Sequence, residues 1–218
     1  RLADQMEPYL HASGVNTVRN DPEAGAAGAI RLSNQGDYDF HLALHSNASP
    51  EALAGQQRGV DFYYYPASAA GLRMANILVD NIKPIYPLPD RVQARPTTAI
   101  GEVRRTRAPS VLAELGYHDN VDDANWLTGN LDAVAQALCV GVTEYFGLPF
   151  LIPGEIRDGK VATNGSSLNL RGLPSTDGAV LTQMPNGASV RILAEYNDWY
   201  SIFYDGLYGF AERQYIAV

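Results

Sequence analysis

The texture of this sequence changes once, at Gly147-Leu148-Pro149, and that change limits the fold more than any single residue. Before it, apolar runs of strand length alternate with longer segments of helical periodicity. After it come short β-rich runs separated by turn dipeptides: Asn164-Gly165, Asp177-Gly178, Asn186-Gly187 and Asp205-Gly206. Alternating strands and helices predict an α/β domain with a mostly parallel sheet flanked by helices. Closely spaced short strands with turn chemistry predict a small all-β barrel. The expected organisation is an α/β domain over 1–147, a linker over 148–157 and a barrel over 158–218.

In the first part, Leu2, Met6, Tyr9 and Leu10 recur at helical spacing and end near Gly14, a C-cap residue, with Pro8 kinking or starting that helix. The chain thus opens on a helix, with no signal-peptide pattern and no Met at its start, and further sequence is expected upstream. Val15 to Arg19 reads as a short strand. Ala24 to Asn34 reads as a small-residue helix. Strands follow over Phe40 to His45, Asp61 to Tyr65 and Val111 to Tyr117. Helices are expected over Ala69 to Ile82 and from about Asp122 to Phe146, the latter with a break at Gly129-Asn130.

Two of those strands end unusually. Phe40-His41-Leu42-Ala43-Leu44-His45 and Val111-Leu112-Ala113-Glu114-Leu115 are apolar runs that carry an imidazole and a carboxylate toward their ends. Such groups are costly to bury without a partner. Alternation places His41, Ala43 and His45 on one face, with His41 about 13 Å from His45, too far to share one ion. His45 stands at the strand mouth before Ser46-Asn47, as a ligand or as a polar turn residue. Glu114 either faces a cleft or pairs with Arg105 or Arg107. His118 lies beyond Glu114, at a surface turn or beside the site. Ligands in α/β sheets sit at strand carboxyl ends, where His45 and Glu114 fall.

Composition excludes some classes. A formal net charge of −8 argues against a nucleic-acid partner. No run approaches the ~18 apolar residues of a membrane span. The single cysteine, Cys139, sits in an apolar helical pattern and has no partner for an internal disulfide.

The segments His45-Ser46-Asn47-Ala48, Arg105-Thr106-Arg107-Ala108-Pro109-Ser110-Val111-Leu112-Ala113-Glu114 and Tyr145-Phe146-Gly147 resemble, in that order, the zinc-dependent N-acetylmuramoyl-L-alanine amidases, over about 1–147. The resemblance implies His45 as a Zn2+ ligand and Glu114 as the catalytic carboxylate. It implies a substrate, peptidoglycan, cut between glycan and stem peptide. Arg105 and Asn47 are candidate substrate contacts, and His118, where the family commonly has an apolar residue, is a candidate further ligand. The family's other His and Glu ligands are expected upstream of Arg1. Three ligands would leave an open position for water, with a pKa lowered to roughly 7. Glu114 would take the proton from that water and pass it to the leaving amine.

Residues Leu168-Asn169-Leu170-Arg171-Gly172-Leu173-Pro174-Ser175, Gly187 to Leu193, Trp199-Tyr200 and Tyr208-Gly209-Phe210 resemble bacterial SH3 domains, which bind cell walls. Leu168 and Leu170 are expected in the barrel core with Trp199, and Tyr204 and Tyr208 either stack on ligand or fill the core. The reading is a secreted or cell-wall-associated peptidoglycan amidase with an SH3-like targeting barrel. A wall-binding protein with a degenerate amidase domain, or a zinc peptidase acting on the stem peptide, are the alternatives.

Overall fold

Helical periodicity and strand alternation resolve into six helices and eleven strands in the computed structural model, which describes residues 1–218. By internal contacts the chain divides into two units, one of 1–3 with 18–145 and one of 4–17 with 146–218.

The first unit holds helices α2 (Gly25–Gln35), α3 (Ala69–Ile82), the single turn α4 (Gly101–Arg104), α5 (Val121–Gly129) and the body of α6 (Leu131–Phe146). Its sheet comprises β1 (His41–Asn47), β2 (Val60–Tyr64), β3 (Val92–Pro96) and β4 (Ser110–Tyr117), in the order β1-β4-β2-β3. β1 runs parallel to β4 and β2 parallel to β3, whereas β2 meets β4 antiparallel. The sheet is therefore mixed, with one antiparallel joint at its centre. Residues 121–146 form two helices broken at Asn130, as the Gly129-Asn130 pair predicts.

One face of the sheet is the main core. Val60, Phe62, Val111, Ala113 and Leu115 are 0–1% exposed, and α3 lies against β2, β3 and β4. α6 approaches α3 closely at Gly141, where a Cβ would stand 2.8 Å from Leu78. The opposite face carries Ala43, Leu112 and Val103 with Tyr63 and Ile100 around them, a smaller apolar patch beneath α4. Burying both faces of the central strand explains why Val111 to Leu115 reads as nearly continuous apolar sequence.

The end of β4 is tied to α5 by one carboxylate. Asp123, 1% exposed, accepts from Arg58 Nε (2.9 Å), Gly59 N (3.1 Å), Tyr86 Oη (2.7 Å) and Tyr117 N (3.0 Å). Asn120 caps α5, accepting from the Asp122 and Asp123 amides. Gly116 adopts φ +80° beside Asp123, and the β1–β4 register shifts between His45 and Asn47 as the strands reach this turn.

The second unit contains α1 (Leu2–Ala12, from residue 4) and an antiparallel sheet: β5 (Arg157–Val161), β6 (Leu168–Arg171), β7 (Val180–Met184), β8 (Ser189–Tyr196), β9 (Trp199–Tyr204), β10 (Leu207–Glu212) and β11 (Ile216–Ala217). Leu168 and Leu170 enter its core with Met184, Val190, Ile192, Tyr200 and Ile202. Trp199 is not core: it is partly exposed and lines a cleft of about 420 Å³ with Arg171, Glu212 and Tyr215. Tyr204 packs half-buried against the core, and the Asp205-Gly206 turn has φ +49° and +82°, the pattern of a two-residue hairpin loop.

The strand expected over Val15 to Arg19 does not form. Asn16 instead uses its side-chain amide as a strand would use its backbone, donating to Tyr208 O (2.9 Å) and accepting from Tyr208 N (2.8 Å). His11 stacks on the Tyr208 ring at 3.8 Å, and Gly14, at φ +80°, sits where a Cβ would strike the Phe210 ring. Residues 148–156 form no helix or strand.

Candidate active site

The β1–β4 register sets the site. His45 pairs with Glu114 in the parallel ladder, and Glu114 pairs with Asp61 of β2 in the antiparallel one. Paired residues share a face, so His45, Glu114 and Asp61 form a row across three strands, on the face covered in part by α4.

Glu114 Oε2 is buried and has no hydrogen-bond partner. Burial pushes its carboxyl above the usual carboxylate range; the neighbouring His45 opposes this, Asp61 adds to it, and His118 opposes it more weakly. Neither Arg105 nor Arg107 pairs with it. Arg107 donates instead to the backbone carbonyls of Asn34 and Gly36, and Arg105 is an exposed residue closing α4. Asn34 pins this stretch from α2, donating to Arg105 O at 2.8 Å and accepting from Arg107 N at 2.7 Å.

His45 is 44% exposed at its side chain, and its Nε2 lies 3.4 Å from Glu102 Oε2. The other oxygen of Glu102 lies 3.6 Å from Nε2 of His41, which is 13% exposed. His41 is thus a buried partner of Glu102, in keeping with a structural role. The two imidazoles, His41 first, hold Glu102 down at about 2, and Glu102 in turn raises His45. Sequence reasoning did not single out Glu102. It rides on a single helical turn fastened to the start of β4, where Thr106 Oγ1 donates to Glu102 O at 2.9 Å and Ser110 Oγ to Val103 O at 3.1 Å.

Asp61 was also missed, although the rule that exposed Glu114, a carboxylate within an apolar strand, applies equally to Val60-Asp61-Phe62. Asp61 is 5% exposed and takes a 2.6 Å hydrogen bond from Arg95 Nε on β3, with Tyr63 Oη approaching at 3.5 Å.

At the rim, the His118 backbone donates to Asn47 O (2.9 Å), and its Nδ1 lies 3.2 Å from both Oγ and O of Ser46. Asn47 Oδ1 accepts from Ala48 N at 2.9 Å, closing its own turn. The structure therefore brings together His45, Glu114, His118 and Asn47, while no hydrogen bond or ion pair joins the Arg105 side chain to the row. No group of three or more His, Cys, Asp or Glu side chains is placed to hold a metal ion. The paired His45 and His118 of the sequence reading thus do not by themselves make a zinc set, which needs three protein ligands.

A mixed α/β sheet with an imidazole and a buried carboxylate side by side at strand ends, followed by a small antiparallel barrel, describes a candidate hydrolase domain with an appended all-β module. Comparison with known proteins narrows this. The family model described as N-acetylmuramoyl-L-alanine amidase matches residues 1–144, and the chain belongs to that family. A bacterial SH3 domain model matches residues 166–217. N-acetylmuramoyl-L-alanine amidase CwlM of Bacillus licheniformis is 24% identical over 146 residues, 66% of this chain. The chain spans about half, 54%, of that relative's length. Among solved structures, the CwlD amidase from Clostridioides difficile in complex with the GerS lipoprotein superposes with a TM-score of 0.57 at 14% identity, covering 67% of this chain and 83% of that one. The catalytic domain of CwlV, an N-acetylmuramoyl-L-alanine amidase from Bacillus (Paenibacillus) polymyxa, gives 0.52 at 23%, covering 68% and 82%. These likenesses establish the fold.

Proposed function

We propose that this chain hydrolyses the amide between N-acetylmuramic acid and L-alanine in peptidoglycan. The observation that carries the reading is Glu114: a buried carboxylate with an unpartnered oxygen, its proton affinity raised, beside His45 in a chain of the amidase family. A carboxyl tuned upward suits general base catalysis near neutral pH. Glu114 takes a proton from the attacking water as the C–O bond forms, and returns it to the alanine nitrogen as the C–N bond breaks. His118 and Asn47, at the rim, are assigned to substrate contact.

His45 is the proposed zinc ligand on this chain, and the rest of the set is expected upstream of Arg1. Zinc, when bound, supplies a polarised carbonyl and an acidified water. The residues present do not complete a zinc site. The proposed division of labour is catalysis within 1–147, a linker at 148–157 and wall attachment within 158–218, in a secreted or wall-associated protein. No helix is long and apolar enough to cross a membrane. The incomplete ligand set favours one second reading, a wall-binding protein whose amidase domain does not turn over.

Zinc content by plasma mass spectrometry and release of alanine amino groups from purified cell walls separate the two. In a protein that carries the ligands expected upstream of Arg1, near one zinc per molecule, with release lost on Glu114→Gln while zinc is kept, is the expected result. A zinc-free protein that binds walls and releases nothing would leave only the second reading. Unchanged release by Glu114→Gln would remove Glu114 from the mechanism.

A further inference from the structure

The row that holds Glu114 continues to a cation. On one side of Glu114 stands His45; on the other stands Asp61, and Asp61 is clamped to Arg95 through a 2.6 Å bond from Nε. Register puts Arg95 opposite Tyr63, which faces the same side of the sheet as Asp61. The ion pair is asymmetric: the Asp61 side chain is 7% exposed and that of Arg95 is 49% exposed. A buried carboxylate needs its partner, so Asp61 fixes where the guanidinium stands. Only Nε is used in that contact, which leaves the terminal amino groups of a half-exposed, immobilised fork facing solvent.

We infer that Arg95, held by Asp61, binds a carboxylate of the substrate's peptide portion and so orients the scissile amide over Glu114; this rests on the hydrolase reading above. A planar fork with fixed orientation matches a carboxylate through two parallel hydrogen bonds. The distances suit a group near the cut. β3 lies two strand spacings from β4, about 10 Å, and an arginine side chain spans much of that gap. A carboxylate on the second residue of the stem lies within about 7 Å of the scissile nitrogen. The peptide then runs from β4 toward β3, and the acyl half lies toward His45. In a chain of net charge −8, with Glu102, Glu114 and Asp61 nearby, a guanidinium at this position favours the approach of an anionic peptide.

The test uses the full chain and two soluble muramoyl dipeptides whose glutamyl residue after alanine carries a free α-carboxyl in one and a carboxamide in the other. Affinity is measured by calorimetry, and hydrolysis in parallel. The wild type is expected to bind the acid at least tenfold more tightly than the amide. Arg95→Gln takes the cation from Asp61, so its fold is checked by circular dichroism; in the folded variant the ratio should come within twofold. Arg95→Lys, which keeps the charge and loses the fork, should fall between. Equal wild-type affinities, no binding of either ligand, or a ratio preserved in Arg95→Gln would each overturn the assignment. Preferential binding of the acid with hydrolysis of neither dipeptide would leave the carboxylate site standing and sink the hydrolase reading instead.

Discussion

Replacing Glu102 with Gln keeps the shape of the side chain and removes the charge between His41 and His45. The carboxyl is 7% exposed, 3.6 Å from one imidazole and 3.4 Å from the other, and is held from the usual 4.5 down to about 2. At about 1.4 kcal/mol per pKa unit, that depression corresponds to roughly 3 kcal/mol. Because His45 is 44% exposed and screened by water, about 2 kcal/mol is the better expectation for Glu102→Gln. The signs differ for the two partners. The depressed Glu102 contributes stability above its unfolded value and loses it as pH falls toward 2. The raised His45 contributes below 6.5 and loses its share as pH rises through its folded value. The full effect therefore falls between about pH 4.5 and 6.5 and shrinks above it. The assay is urea unfolding followed at Trp126, which is 7% exposed and donates to Ile85 O at 2.9 Å, in a Trp199→Phe background that silences the barrel. With a slope of about 2 kcal/mol per M, the midpoint should drop by about 1 M at pH 5.5 and by clearly less at pH 8.5. Equal midpoints at pH 5.5, or a larger loss at pH 8.5, would refute the reasoning.

Two other perturbations test the α/β unit. Asp123→Ala strips an acceptor from Gly59, Tyr86 and Tyr117 and leaves Arg58 with only the exposed Asp122, so a loss of about 3–5 kcal/mol is expected, read in the same Trp126 transition. Cys139 is 0% exposed and burial pushes its thiol up to about 12, so a disulfide reagent at pH 8 should label it only on unfolding; rapid labelling of the native protein would contradict its place in the core.

Strand alternation made His45 and Glu114 visible because each breaks an apolar run, and that signal is local. The same signal was present at Asp61, but its meaning depends on Arg95, which lies on a strand that no local pattern marked. Glu102 had no local signal: a carboxylate in a one-turn helix looks like surface until Thr106 and Ser110 fasten that turn over β1 and β4. The failed strand at Val15 to Arg19 is the reverse case. Its residues suit a strand, yet the Asn16 amide takes both hydrogen-bonding groups of Tyr208, and the ladder has nothing left to extend.

By itself the sequence determined the strands β1, β2 and β4 and the longer helices of the first unit, the change of architecture after Gly147, and which two strand ends carry chemistry. These follow from side-chain periodicity, which is set within a few residues. The tertiary structure decided the rest. It put β4 between β1 and β2, and so lined up His45, Glu114 and Asp61; it buried Glu114 without a partner; and it set Arg95 at the end of the row. Strand order and register depend on contacts between residues far apart in the chain, and burial raises or lowers a carboxyl's proton affinity only once those contacts exist.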